Sequence, residues 1–439
     1  MAEPGRPYRA LKHRDFRRLW VAQLVSVTGS QMQTAAIHWH VWLLTGSPLA
    51  LGVIGLVRVT PIVAFSLLGG LLADRRDRRH VMFAAQSVMT VAAALLALVT
   101  LRGQEPVWAV YALTALSAAG SAFDSPARQA LLPRLVPVGE LAGAVSLNLA
   151  MFHAAMIGGP ALAGVLLGAL GGGPVSASAV APGTVHASLV LIYGLNALSF
   201  AGTLGVLVSM RTSGAPEPGA PGAPASLRGA LAEGLRFVFR TPIMVGTMTL
   251  DFFATFFAGA LSLLPVFADR ILGVGARGYG LLAAAPALGA LVGSVLTSVR
   301  PLPERQGRVL LGAVAAYGAS TVVFGLSRNA ALTFAALAFG GFADLVSTVI
   351  RQTLRQLLTP DALRGRMTSV NMVFFMGGPQ LGELEAGLVA SLFASAALGA
   401  TVSVVSGGVA TLVLAAAFWA AAPVVRDYRE SDALRAGGG

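Results

Sequence analysis

The 439-residue sequence predicts an all-α polytopic membrane protein, with twelve transmembrane helices arranged as two six-helix bundles. Three observations carry this reading: an apolar composition, a series of long apolar runs with short polar breaks, and an internal repeat half a chain long. Apolar residues make up 55% of the chain and charged residues 11%, with a mean hydropathy of +0.74. A soluble domain carries about 25% charged residues.

A helix crossing a bilayer needs about 20 mainly apolar residues. Such runs recur at 19–43, 49–72, 80–101, 106–126, 140–171, 187–210, 243–268, 279–299, 308–327, 330–350, 367–396 and 399–424. The basic segment Met1–Arg18 leads into an apolar stretch too long for a secretory-signal core and without a small-residue cleavage pattern. It reads as the approach to a retained first span.

The net charge is +12, and the placement of the charges decides its meaning. With the amino terminus inside, the arginines of Arg6–Arg18, Arg75–Arg79, Arg128, Arg134 and the 211–240 segment fall on one side, followed by Arg300, Arg305, Arg308, Arg351, Arg355, Arg364, Arg366, Arg426, Arg429 and Arg435. The other side holds Arg102, Arg270, Arg277 and Arg328. This positive-inside bias predicts a multi-pass protein of the cell (inner or plasma) membrane with both termini cytoplasmic. It also assigns the basic charge to topology, leaving no reason to expect nucleic acid as a partner. Trp20, Trp39, Trp42, Trp108 and Trp419 fall near predicted span ends, where an indole sits well among headgroups.

Cysteine is absent, which excludes disulfides, thiolate metal sites and cysteine nucleophiles. The six histidines show no metal-ligand spacing. His38 and His40 point to different faces of one helix, because neighbours on a face are three or four residues apart, and His153 reads as a packed polar residue. The only lysine is Lys12, followed by His13, so no phosphate-cradling Gly-Lys-Ser/Thr loop exists to drive an ATP-powered pump. Nor is there a buried lysine for a Schiff-base chromophore. No enzyme motif, metal or cofactor is expected.

The longest polar break opens with the Pro/Gly-rich stretch Thr212–Gly219 and predicts a flexible linker. Its second part, Ser226–Arg240, places Leu227, Leu231, Leu235 and Val238 at helical spacing among arginines, as either an interfacial amphipathic helix or a solvated linker helix would. The expected organisation is therefore a bundle over 1–210, a cytoplasmic linker over 211–242, a second bundle over 243–425 and a tail over 426–439.

At an offset of 223 residues, Arg128-Gln129-Ala130-Leu131 aligns with Arg351-Gln352-Thr353-Leu354. The same register matches Ser146 with Ser369, Asn148 with Asn371, Gly159 with Gly382, and Ala163-Gly164 with Ala386-Gly387. The offset spans six helices, an even number, so the halves run in the same topological sense, as parallel repeats around a midplane site do.

The loop after the second run reads Gly70-Leu71-Leu72-Ala73-Asp74-Arg75-Arg76-Asp77-Arg78-Arg79. It resembles the cytoplasmic signature of the major facilitator superfamily, with Asp77 where that family usually has glycine. The chain resembles the enterobactin-exporter and drug-efflux branch through Leu44–Leu49, Ser125–Gln129 and Thr359–Arg366. A carboxylate among guanidiniums at a water boundary forms pairs that make and break. The resemblance implies a gate: Asp74 against the start of the eleventh span, where Arg364 and Arg366 lie, and Arg78, with Arg75 and Arg79 beside it, against Asp124 at the end of the fourth. In the fifth run, Gly158-Gly159-Pro160-Ala161-Leu162-Ala163-Gly164 resembles a shortened exporter-associated Gly-Pro motif. Its small residues allow close packing and Pro160 removes a donor, predicting a hinge or sliding seam at Gly159, Pro160 and Gly164.

Charges deep in apolar runs are costly and face a cavity or a partner. Arg58, Asp251, Asp344, Glu383 and Glu385 are such charges. In the family fold spans one, four, seven and ten line the cavity, so the resemblance makes Asp251 and Asp344 candidates for proton or cationic-substrate sites. Spans two and eleven are neighbours there, which offers Glu383 or Glu385 as a partner for Arg58. The implied function is secondary active export of a small hydrophobic or amphipathic molecule, drug-like or siderophore-like, by proton antiport and alternating access. The expected partners are that molecule, protons and the lipid bilayer, with the chain acting as a monomer. Uptake or uniport by the same fold, and a non-transporting membrane sensor, are the alternatives. The arginine motif that many drug and proton antiporters carry in span four is missing from Ala109–Gly120.

Overall fold

The structure, a computed structural model, describes residues 7–103, 105–170, 182–215, 236–300, 303–359 and 364–429. Among them are twelve long helices and no strand. They are α1 (Arg14–Thr45), α2 (Pro48–Arg75), α3 (Arg78–Leu101), α4 (Val107–Leu135), α5 (Leu141–Leu170), α6 (Pro182–Ser209), α7 (Pro242–Phe257), α8 (Gly275–Val299), α9 (Gln306–Leu326), α10 (Ala330–Leu358), α11 (Arg364–Ser391) and α12 (Ala396–Ala421).

Nine stretches among the described residues are long and apolar enough to cross a bilayer by composition alone. α1, α4 and α11 are not among them, and for α1 and α4 the reason is visible in their sequences. Ser30, Gln33 and Thr34 on α1, and Thr114, Ser117 and Ser121 on α4, lower the hydropathy of helices that line a polar cavity.

The predicted seventh span, 243–268, is not one continuous helix. α7 stops at Phe257 and the chain continues through a 3-10 turn at Ala260–Leu263, a short helix Leu264–Val266 and a π-helical turn at Phe267–Ile271. Gly259 sits against the backbone of Gly382, 3.0 Å from where a Cβ would lie, and Pro265 lacks the N–H an unbroken ladder requires.

The described residues divide into two compact units. The first holds Met1–Leu44, Val57–Ala223 and Gly275–Gly280, and the second Thr45–Leu56, Pro224–Val274 and Leu281–Gly439. In the first, α3 packs on α4 and α6 and α5 on α6. Phe16, Leu19, Val81, Met82, Leu131 and Leu207 form a buried cluster there. In the second, α9 packs on α10 and α12, and α11 on α7 and α12. Leu250, Leu310, Val314, Ile350 and Val425 are buried together in it.

The repeat register shows in the packing within each unit. On α5, a Cβ at Gly159 would lie 2.5 Å from Cβ of Gln31 on α1. On α11, Gly382 presses on the Phe256 carbonyl of α7. Gly164 likewise meets Gly280 inside the first unit, and Gly387 meets Gly52 inside the second. Two pairs of repeat-related glycines thus serve as close-packing points, because only a residue without a side chain lets backbones approach this far.

Trp39 and Trp42 depart from the expected headgroup position. They are 3% and 1% exposed, and Trp39 stacks on Tyr279 with ring centroids 5.4 Å apart. Spacing along a helix gives depth but not the face, and theirs is the packed one. Trp108 and Trp419, at 68% and 45% exposed, lie on the surface as expected. Of the predicted linker helix, residues 236–240 are helical and Val238 is buried beside Met244 and Met248. Ser226–Leu235 and the tail beyond Arg429 lie outside the described residues.

Candidate functional site

In the second unit, Asp251 on α7 and Asp344 on α10 converge on one cation, Arg351. Its Nη2 lies 2.8 Å from Oδ1 of Asp251 and 3.9 Å from Oδ1 of Asp344. The same guanidinium donates to Oγ of Ser347 at 2.8 Å and to Oγ1 of Thr348 at 2.9 Å. The local geometry follows from α10 itself, since Asp344, Ser347, Thr348 and Arg351 recur at i, i+3, i+4 and i+7 on one face.

The Arg351 and Asp251 side chains are 5% and 9% exposed, whereas that of Asp344 is 45% exposed. One acid is thus sealed against the cation and the other half-buried beside it. Arg351 corrects the topological reading, in which it belonged to the cytoplasmic surface. Its signal was its i+7 spacing from Asp344. Beside Asp251, Phe252 stacks on Phe256 and Phe253 on Phe257 at 6.1 and 5.9 Å, giving the end of α7 an aromatic ladder.

In the first unit, Arg58 of α2 faces a cavity of about 140 Å3. Regular stripes line it: Ser30, Gln33, Thr34 and Ile37 from α1, and Thr114, Ser117, Ala118 and Ser121 from α4, with Ile62, Met89, Asn196 and Phe200 closing it. Glu383 and Glu385 fall in the second unit, half-buried on α11, where Glu383 lies against Gly55.

Asp77, Arg78 and Arg79 of the loop motif make contacts other than the implied Arg78–Asp124 pairing. Asp77 caps the N-terminus of α3, its Oδ1 accepting from the Arg79 N–H at 2.8 Å. Arg78 donates to the carbonyls of Gly214 and Ala215 at 3.4 and 3.5 Å, and Arg79 to those of Thr212 and Leu207 at 3.3 and 3.0 Å. Both arginines therefore anchor the chain leaving α6. Asp124 instead accepts from Gln86 Nε2 at 2.9 Å and lies 3.9 Å from Nε of Arg128. Gln86 is eight residues beyond Arg78, about 12 Å along the helix, which puts Asp124 beyond the first turn of α3. Gly70 has open space around it and Arg75 is exposed. The side chains of Asp74, Arg364 and Arg366 lie outside the described residues.

One cluster gave no sequence signal. His40 Nε2 lies 2.7 Å from Oε1 of Glu105, and Nδ1 3.1 Å from the Tyr193 hydroxyl, with all three side chains buried. The partners are 65 and 153 residues away, so only the packing of α1 against α6 and the start of α4 brings them together.

Known proteins agree with this architecture. A family model described as transmembrane secretion effector matches residues 6–434. Macrolide efflux protein A of Streptococcus pyogenes is 30% identical over 151 residues, 34% of this chain and 37% of that protein. That match spans little more than a third of the relative's length. The enterobactin exporter of Shigella dysenteriae is 25% identical over 82% of this chain and 81% of its own. Among solved structures, a bacterial homologue of the human lysosomal transporter Spinster superposes with a TM-score of 0.73 at 18% identity, covering 94% of this chain and 98% of that one. A bacterial homologue of the iron transporter ferroportin gives 0.63 at 17%, covering 92% and 98%. Twelve long helices among the described residues, charged residues gathered inside them and a family match along almost the whole chain converge: this multi-pass membrane protein belongs to the transmembrane secretion effector family of the major facilitator superfamily.

Proposed function

We propose that the protein exports a small hydrophobic or amphipathic molecule in exchange for protons, with Asp251 as the coupling acid. The observation that carries this is the buried Asp251–Arg351 pair with the half-buried Asp344 beside it. Without a nucleotide site, energy comes from an ion gradient, and an ionisable group inside the apolar core links ion binding to conformation. A proton taken up by Asp251 cancels its attraction for Arg351 and leaves the guanidinium to Asp344, Ser347 and Thr348. Loss of the proton restores the pair. The two states differ in which acid holds Arg351, the kind of bistable contact that alternating access requires.

The aromatic ladder from Phe252 to Phe257 suits an apolar cargo. The relatives named for macrolide efflux and enterobactin export make a macrolide and enterobactin the first compounds to try. The arginine distribution supports cytoplasmic termini, and each chain, carrying its own acid–arginine cluster, acts as a monomer. Purified protein in proteoliposomes, loaded with either compound and given a pH gradient, tests the reading. Substrate-dependent proton movement is expected. A compound carried into the cytoplasmic compartment along with protons would make the protein an uptake system, and proton-independent movement a uniporter.

A further inference from the structure

We propose that the Arg58 cavity is a subsite for an anionic group, a sulfonate, carboxylate or phosphate, carried by the transported molecule. This rests on the reading of the chain as a small-molecule transporter and adds the chemistry of one end of its cargo. An arginine within an apolar run is costly unless it meets a partner or a cavity. Arg58 is the only charged residue among those lining its cavity, no carboxylate faces it there, and the remaining polar groups are hydroxyls and amides.

The two amides are joined to each other. Asn196 Nδ2 donates to Gln33 Oε1 at 2.8 Å, and Asn196 Oδ1 accepts from the Ser199 hydroxyl at 3.1 Å. The close approach depends on Gly29, whose absent side chain leaves Asn196 room beside α1. Ser30, Thr34 and Thr114 likewise spend their hydroxyl protons on carbonyls of their own helices. Ser117 and Ser121 make no hydrogen bond among the described residues. The cavity therefore offers an anion the guanidinium fork of Arg58, the Ser117 and Ser121 hydroxyls and the Gln33 amide N–H groups as donors.

A guanidinium matches the planar or trigonal oxygens of carboxylate, sulfonate and phosphate with paired hydrogen bonds. The size fits the same conclusion. A cavity of about 140 Å3 has room for an anionic group with a ring or a few carbons. Ile37, Ile62, Met89 and Phe200 provide the apolar wall for that ring.

The test uses full-length protein in neutral detergent and two matched probes, benzenesulfonate and benzenesulfonamide, read as shifts in the thermal unfolding midpoint. Benzenesulfonate is expected to raise the wild-type midpoint by several degrees, and the neutral sulfonamide to leave it within about one degree. R58Q should abolish that rise and R58K should reduce it, because lysine keeps the charge without the fork. E383Q should keep the rise if the anion belongs to the ligand. Equal shifts from both probes, an unchanged response in R58Q, or no wild-type response overturns the proposal.

Nanodiscs of phosphatidylcholine with and without phosphatidylglycerol separate cargo from lipid headgroup. Benzenesulfonate should still act in both, whereas a midpoint rise from phosphatidylglycerol that is lost in R58Q assigns the site to lipid and overturns the cargo reading. These binding measurements do not depend on proton coupling, so this proposal and the antiport reading fail separately.

Discussion

Arg351, predicted for the cytoplasmic surface, instead lies with Nη2 2.8 Å from Oδ1 of Asp251, and both side chains are buried. Removing one partner of a buried ion pair leaves the other charge uncompensated, at a cost of about 3–5 kcal/mol. Arg351→Met should therefore lower the thermal midpoint of the detergent-solubilised protein sharply. Replacing the pair together, Asp251→Leu with Arg351→Met, should recover most of the loss, because neither charge of the pair is then left buried without its partner. A double variant no more stable than Arg351→Met would show that the two side chains do not act as a pair.

The glycine seam makes a prediction with an internal control. Gly159 has no room for a side chain against Gln31 and Met32, whereas Gly158 beside it has nothing within 4 Å. Overpacking of this kind costs about 1–3 kcal/mol. Gly159→Ala should slow transport and lower the midpoint while Gly158→Ala leaves both near wild type, measured side by side in the same proteoliposomes. Equal effects would remove the close contact as the cause.

Asp77 stands where the family signature usually has glycine, and its role as the α3 cap accounts for the departure. Alanine at an N-cap costs about 1 kcal/mol but glycine only a few tenths. Asp77→Ala should therefore be the more damaging change and Asp77→Gly nearly silent, by thermal midpoint and by transport. The reverse order would mean that the carboxylate serves the gate rather than the helix end.

The gate itself remains a proposal centred on Asp74. Asp74→Asn keeps shape and removes the charge-assisted bond, so it should abolish most transport with normal membrane insertion. Efflux at the wild-type rate from a well-expressed variant would contradict it.

Much of the fold was legible because bilayer physics writes it into composition. The twelve apolar runs fall on long helices among the described residues, the seventh broken after Phe257, and the repeat register reappears as matched glycine contacts. Asp251 and Asp344 stood out because a carboxylate within an apolar run has few other uses. What sequence concealed was the face and the partner. Arg351 sits near a run's end, where arginine usually marks the cytoplasm, and its side chain turns back into α10's polar stripe. The indoles of Trp39 and Trp42 have the right depth for headgroups but pack inward. His40, Glu105 and Tyr193 are joined only by tertiary packing. The break after Phe257 needed the nearby Gly382 backbone to become intelligible.

Coupling of proton movement to export through Asp251 is open to direct measurement. Wild-type and Asp251→Asn proteins are reconstituted, and transport of the compound found active in proteoliposomes is followed in two modes, uphill against its gradient under an imposed pH gradient and downhill exchange without one. Asp251→Asn is predicted to lose uphill transport by at least tenfold while keeping downhill exchange within about threefold of wild type, since an amide preserves shape but cannot release a proton. Uphill transport persisting in Asp251→Asn would contradict the account.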